Sequence, residues 1–418
     1  MLKHSAYFFI KILTYILNHH EAFRLVFFNQ MFVRLSSTYF FYFALLGLIS
    51  PYLAIFLDGQ GFTSRQVGEI LAIITATKIV APSLWAMLAD KTAKPLLIIQ
   101  LGALLALISF SFLYWFTLYW PITFCLALFT LFWTAILPQL EVHTLNSIKH
   151  SSKIYARVRL WGSLGFIVLA VVAGEAMSAL GYQAFTTLGV ITLACLFIST
   201  LFLTSRKSTK SVQQRASKPA AIFNKIVNGR FICFFIAGLL LQVSFAPYYG
   251  FFALFLRDLQ YSGLAVGLLI SLGVVAEVIA FIYMGKLFKY FSLNSLLVFS
   301  LAITSLRWYL IPVVADSVIW LAIIQLSHAA SFAVYHSASM QFISSHFTKT
   351  QQSRGQGIYL GGVYGVGGAI GAYITGMLWL DGQGASNTFI MAGTSALIGS
   401  IIMVFTKNKK SSTFSTTT

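Results

Sequence analysis

Apolar runs of about 20 residues recur along nearly the whole chain, and each is long enough to cross the hydrocarbon core of a bilayer. They fall at roughly 34–57, 65–88, 95–116, 119–140, 157–180, 183–204, 231–256, 263–285, 293–314, 317–342, 355–380 and 386–406. In hydrocarbon every backbone N–H and C=O must be satisfied inside the protein, which leaves helices or closed barrels. Barrel strands would be about ten residues long and would alternate in polarity, and these runs do neither. The expected fold class is an all-α membrane protein with twelve transmembrane helices. A chain of 418 residues that is 58% hydrophobic and 9% charged is not a soluble globule.

The net charge of +18 raises the question of nucleic acid, but its distribution answers otherwise. Arg65 and Arg257 fall in outer loops and Lys78 and Arg307 within spans, while every other Lys and Arg falls on one side. The outer loops carry Asp58, Asp258, Asp316 and Asp381. This is the positive-inside bias, and it places both termini in the cytoplasm. Nucleic acid is not an expected partner; the lipid bilayer is, with the basic face suited to anionic lipid. Cys125, Cys195 and Cys233 lie in spans without a pairing pattern and read as packing residues.

The chain divides into an N-terminal extension over 1–30, a six-helix half over 31–204, a basic cytoplasmic linker over 205–230, a second half over 231–406 and a tail over 407–418. The extension reads as an interfacial helix or as sequence upstream of a true start at Met31. The halves echo each other: Pro51-Tyr52 and Pro247-Tyr248 stand in their first spans, and Phe56-Leu57-Asp58 before Gly68 parallels Phe255-Leu256-Arg257-Asp258 before Gly267. Internal repeats of this size place a transporter's binding site near the midplane between them. Ladders of small residues, Gly357/Gly361/Gly365, Gly368/Ala372/Gly376 and Gly68/Ala72/Ala76, allow close helix packing.

Lys78, Glu277 and Arg307 lie within spans. A charge in the bilayer core costs several kcal/mol, so such residues mark solute or ion paths. Glu277 is a candidate proton carrier, since a carboxyl poised between a dry surrounding and a cation can load and release a proton. Arg307, always charged and able to fork onto a carboxylate, is its expected partner, or takes a substrate carboxylate and frees Glu277. His328 shares a polar stripe with Gln325, Ser331, Tyr335 and Ser339, suited to binding or proton relay; His336 lies off that stripe and reads as packing. Lys78 suits an anionic solute. Gln242 and Tyr249 share a face of span seven and, like Tyr39 and Tyr42 of span one, are expected to line a cavity. Arg157 reads as an interfacial anchor, and Glu141 and Arg159 as a pair at the cytoplasmic face. No phosphate-binding loop, metal-ligand spacing or nucleophile–base pair is visible, so ATP, metal and cofactor are not expected, nor is an enzyme.

The loop after span two, Ala86-Met87-Leu88-Ala89-Asp90-Lys91-Thr92-Ala93-Lys94, resembles the signature loop of the major facilitator superfamily, with Ala at both of its glycine positions. The resemblance gives Asp90, Lys91 and Lys94 a gating role. Tyr155-Ala156-Arg157-Val158-Arg159-Leu160-Trp161-Gly162 is similar to the start of span five in the lactose permease and phenylpropionate permease branch. Glu141 stands eighteen residues before Arg159, as a sugar-binding pair does there, and Glu277, Arg307 and His328 repeat a charged triad of proton symport. Arg354-Gly355-Gln356-Gly357 is similar to the phenylpropionate side. The resemblance spans about 31–406. It departs from the lactose permease at Ser331, where that permease has a second acid, at Phe166, which stands for its sugar-stacking Trp, and at Ala280, which stands for its Asn. Lactose is therefore not the expected solute.

Together these readings expect a secondary active transporter of two six-helix pseudo-repeat halves, functional as a monomer in the bacterial inner membrane. It would couple protons to a small organic solute, an aromatic or other organic acid first and a sugar or nucleoside second. Its proton-coupling set is Glu277, Arg307 and His328, and its substrate set is Lys78, Glu141, Arg159, Phe166, Gln242, Tyr249, Gln325, Ser331 and Tyr335. An exporter of drugs or metabolites on the same fold, and a non-transporting sensor, are the rivals.

Overall fold

The structure, a computed structural model, describes residues 30–92, 94–148, 150–204 and 222–406; most of the expected extension, most of the linker and the tail lie outside them. Among the described residues twelve long helices occur in order: α1 Gln30–Gly59, α2 Ser64–Thr92, α3 Pro95–Tyr114, α4 Tyr119–Ser147, α5 Ser152–Leu180, α6 Ala184–Leu201, α7 Gly229–Asp258, α8 Gly263–Tyr290, α9 Leu293–Val313, α10 Val318–His346, α11 Gln352–Gly382 and α12 Ala385–Val404. Eleven are long and apolar enough to cross a membrane, and α2, 29 residues long, is the twelfth. No strand occurs among the described residues.

The helices start where polar side chains can take up free backbone N–H groups. Ser151 accepts from Ile154 N, Ser262 from Ala265 N, Ser292 from Ser295 N and Asn228 from Arg230 N. Pro95 opens α3, where its missing N–H is not needed. Two helices loosen inside their spans. Residues Ala329–Val334 of α10 and Leu360–Gly367 of α11 wind as π-helix, a form concentrated at functional sites.

The pseudo-repeat is visible atom by atom at the ends of α1 and α7. Phe62 N donates to Leu57 O and Tyr261 N to Leu256 O, each a bond that closes a helix C-terminus over a left-handed residue. Those residues are Gly61 at φ +88 and Gln260 at φ +65. This alignment makes Asp58 the counterpart of Arg257, and the two form an ion pair at 2.7 Å.

Four contacts join the first six helices to the last six at the end opposite the linker, here the far end. Gly68 of α2 packs on Gly376 of α11, where an added Cβ would stand 2.5 Å from the Gly376 Cα. Gly174 of α5 packs on the carbonyl of Gly263 of α8. Arg257 bridges Asp58, and Asp381 accepts from both Ser64 N at 2.9 Å and Ser64 Oγ at 2.7 Å. At the linker end the same helices part: a Cβ added at Gly357 of α11 or Gly285 of α8 would meet nothing within 4 Å. The bundle is closed at the far end and open at the linker end.

Candidate functional site

The polar groups of the last six helices form two tiers. The inner tier is sealed. Arg307 of α9, 1% exposed, donates from Nη2 to Gln325 Oε1 at 2.7 Å and from Nη1 to Ser331 Oγ at 3.4 Å. Its guanidinium lies 4.2 Å from the Tyr248 ring centroid and 4.5 Å from that of Trp308. Tyr248 in turn donates to Gln325 Oε1 at 3.0 Å. A buried charge with no carboxylate in contact is costly; three neutral acceptors and two aromatic faces hold this one.

The third acceptor is His328. Arg307 Nη1 and His328 Nδ1 are 2.8 Å apart. A guanidinium has no acceptor, so Nδ1 must be the bare nitrogen and the ring proton must sit on Nε2. Nε2 faces Glu277 Oε2 at 3.6 Å. The order is therefore Glu277, His328, Arg307. The expected direct pairing of Glu277 with Arg307 is not made; the imidazole stands between them. Its neutral tautomer is fixed by Arg307, and His328 cannot take a second proton until Arg307 leaves Nδ1.

The outer tier lines the space between the two sets of six helices. Glu277, Tyr249, His336 and Tyr364 are all half-buried. His336 Nδ1 lies 3.1 Å from Tyr364 Oη. His328, Phe332 and His336 form a continuous stack, with ring centroids 5.7 and 5.9 Å apart and interplanar angles of 12° and 7°. His336, expected off the His328 face, thus shares that face and is packed against Phe332. The π-turn between them inserts an extra residue per turn, which rotates the rest of α10 by roughly 100°. By the same turn Tyr335 and Ser339 face the core of the last six helices, where Tyr359 donates to Ser339 at 3.2 Å. Gln325 and Ser331 are likewise buried behind the cavity, and Gln242 packs toward Gly367. Tyr249, stacked on Phe245 and edge-on to His328, is the member of that expected set that reaches the open space.

Opposite stands Arg159 of α5, its guanidinium 3.9 Å from the Phe43 ring centroid and 5.8 Å from that of Tyr39. It is half-buried, on the α1 side of α5, where its Nη1 lies beside Gly162 and the Phe43 ring. The expected Glu141–Arg159 pair is not among the ion pairs of the described residues; Glu141 instead accepts from Tyr155 Oη at 3.4 Å. Lys78 is exposed although it lies midway along α2. Leu71, two turns earlier on the same face, points at Gly250 of α7, so Lys78 faces α7 and the cavity. Phe166 sits in the α1–α5 seam with its carbonyl against Gly47. Tyr42 stacks on Trp133 in the core of the first six helices, centroids 4.9 Å apart. Lys91 and Lys94 are exposed at the α2–α3 junction; the Asp90 side chain lies outside the described set.

Tyr364, Phe332 and Phe43 were not legible as site residues. For Tyr364 a signal existed: it is the one side chain with a hydroxyl inside the glycine-rich stretch 360–368.

The family model for the MFS_1-like family matches residues 32–391. The chain belongs to that family. Over 317 residues it is 28% identical to the "Probable 3-phenylpropionic acid transporter" of Escherichia coli (strain K12), covering 74% of this chain and 82% of that one. It is 24% identical over 296 residues to the maltose permease of Geobacillus stearothermophilus, covering 68% and 71%. Among solved structures, a mutant form of the nucleoside transporter NupG superimposes with a TM-score of 0.80 at 15% identity, over 90% of this chain and 99% of that one. A peptide transporter of the POT family, with sulfate, superimposes at 0.73 and 13% identity, over 90% and 94%. This family member is thus a small-solute transporter on the major facilitator fold, and its homologues and structural neighbours are transporters, not enzymes.

Proposed function

We propose that the chain couples a proton to the movement of a small organic acid, aromatic monocarboxylates first, across the bacterial inner membrane with its linker end in the cytoplasm. The observation that carries this reading is the relay of Glu277, His328 and Arg307, whose outer member opens on a cavity that also holds Lys78 and Arg159. Neither cation has an ion-pair partner among the described residues, and each suits a carboxylate. Tyr249, Tyr364, Phe43 and Phe332 supply aromatic walls beside them. The relative of Escherichia coli, named for an aromatic acid, supports the same class. The crowding of Lys and Arg at the linker end supports the orientation.

In this reading the substrate carboxylate is held by Lys78 and Arg159. Its negative charge draws Arg159 away from Glu277, and the carboxylate of Glu277 then takes a proton from the open end. With Glu277 neutral, His328 loses the anion it faces, and the Arg307–His328 pair is free to rearrange as access alternates. Arg307 Nε and Gln325 Nε2, buried without an acceptor, give that rearrangement new bonds to make.

The test uses proteoliposomes holding a trapped pH dye, with the voltage clamped by potassium and valinomycin. 3-Phenylpropionate, a nucleoside and maltose are added separately. Solute-dependent proton movement with 3-phenylpropionate alone, lost in Glu277→Gln while counterflow exchange persists, is the expected result. Entry of 3-phenylpropionate without protons overturns the coupling; proton movement with the nucleoside or maltose alone overturns the acid; proton release opposite to solute flux makes the protein an exchanger.

A further inference from the structure

A second site lies on the outside of the bundle. Between α5 and α8, beyond the point where Gly267 packs on Ala170 and Val171, the helices diverge and enclose a groove of about 390 Å³. Leu160, Leu164 and Ile167 form one wall, Val275, Val278 and Ile279 the other, and Trp161 and Phe32 close it toward α1. The groove lies on the faces of α5 and α8 opposite Arg159 and Glu277, so it opens to the bilayer rather than to the solute cavity. Its linker-end mouth is basic on both sides. Arg157 is part of the lining. Lys153 stands one turn before it on the same face, and Lys286 lies two turns beyond Ile279 on the face of the opposite wall; both are exposed. The two helices contain only two acids, Glu175 near the far end and Glu277 on the opposite face.

We propose that this groove is a binding site for an anionic phospholipid, with one acyl chain between the walls and the phosphate at Arg157, Lys153 and Lys286. Hydrocarbon is the solvent at this depth, and a slot of this shape admits a chain end-on. The basic mouth on two separate helices then selects the headgroup, by about fivefold per charge. One wall belongs to the first six helices and the other to the last six, so the seam can close at the linker end only when the chain leaves. Bound lipid therefore holds the linker-open state. The site does not depend on which solute is carried or on proton coupling.

The experiment places the full chain in nanodiscs of phosphatidylcholine and titrates in phosphatidylglycerol whose acyl chains are brominated. The readout is quenching of the Trp161 contribution, defined as the fluorescence absent from Trp161→Phe. Brominated phosphatidylcholine at the same mole fraction is the control. Quenching by the anionic lipid at severalfold lower mole fraction is expected. That preference should be lost in Arg157→Gln with Lys286→Gln and kept in Arg157→Lys with Lys286→Arg, with thermal unfolding confirming that each variant is folded. Equal quenching by both lipids, or a preference unchanged in the charge-neutral variant, overturns the headgroup selection. No Trp161-dependent quenching by either lipid overturns the site. None of these outcomes bears on transport, so failure here leaves the transport reading standing, and the reverse also holds.

Discussion

The seam between α2 and α11 and the seam between α5 and α8 are repeats of one another, yet they are built differently away from the far end. Both begin with glycine against backbone: Gly68 on Gly376 in one, Gly174 on Gly263 in the other. In the first the contact continues well into the bilayer, with Thr75 against Gly368 and Ile79 against Gly365. It is also fastened by Asp381, which caps the N-terminus of α2 from the other set of six helices. That fastening comes from a strained turn, with Leu380 at φ +48, Asp381 at +50 and Gly382 at +95; the two non-glycine residues cost about 1 kcal/mol or more each. In the second seam nothing fastens the far end beyond packing among the described residues. The helices part early, and the freed length carries Arg159 and Glu277 on one face and the groove on the other. In the proposed transport cycle one copy of the repeat would serve as a hinge and the other as the place where chemistry is exposed.

Replacing the far-end glycines is expected to have the largest effect, because a side chain there must displace backbone. Overpacking costs about 1–3 kcal/mol, and at the upper end this lowers the far-closed state by roughly a hundredfold. Gly174→Leu and Gly376→Leu should each reduce uptake by that order and raise thiol labelling of a cysteine placed at Gly181. If Gly174→Leu alone does so, the hinge role shifts to the α5–α8 seam. The next largest effect tests the chemical face. Losing a hydrogen bond to a charged group costs about 1.5–3 kcal/mol, so Arg159→Gln should raise the KM for 3-phenylpropionate about tenfold. Lys78→Gln should do the same from the other seam, and an unchanged KM there confines substrate capture to α5. Asp381→Ala removes a helix cap, a loss of about 1 kcal/mol, and should raise far-end labelling about fivefold. Arg257→Gln should matter least. Its bridge is about 40% exposed on both sides, and such pairs contribute about 0–1 kcal/mol, so labelling should change by at most about fivefold and lose its salt dependence.

The fold was legible because bilayer thickness imposes a length and an apolarity that eleven of the twelve helices meet one by one. The intramembrane charges were legible for the same reason: Lys78, Glu277 and Arg307 stand out against hydrocarbon. What the sequence hides is set by winding and by order of contact. The position of His336 depends on the π-turn at Ala329–Val334, and no residue pattern in that stretch distinguishes hydrogen bonds five residues apart from bonds four apart. The insertion of His328 between Glu277 and Arg307 depends on how α8, α9 and α10 meet, and those helices contribute one residue each. Tyr335 and Ser331 belong to a polar stripe, but a stripe does not say whether it faces a cavity or a neighbouring helix.

The ion pair of Asp58 with Arg257 joins two positions that the repeat makes equivalent. Were the halves identical chains related by a two-fold axis, a position on that axis would meet its own copy. Aspartate would face aspartate, or arginine arginine, and the contact would repel. The attraction requires that one half carry acid where the other carries base, a difference open only to halves written separately in one chain. The far-end closure of this protein thus rests in part on broken symmetry, something that a dimer of either half could not reproduce.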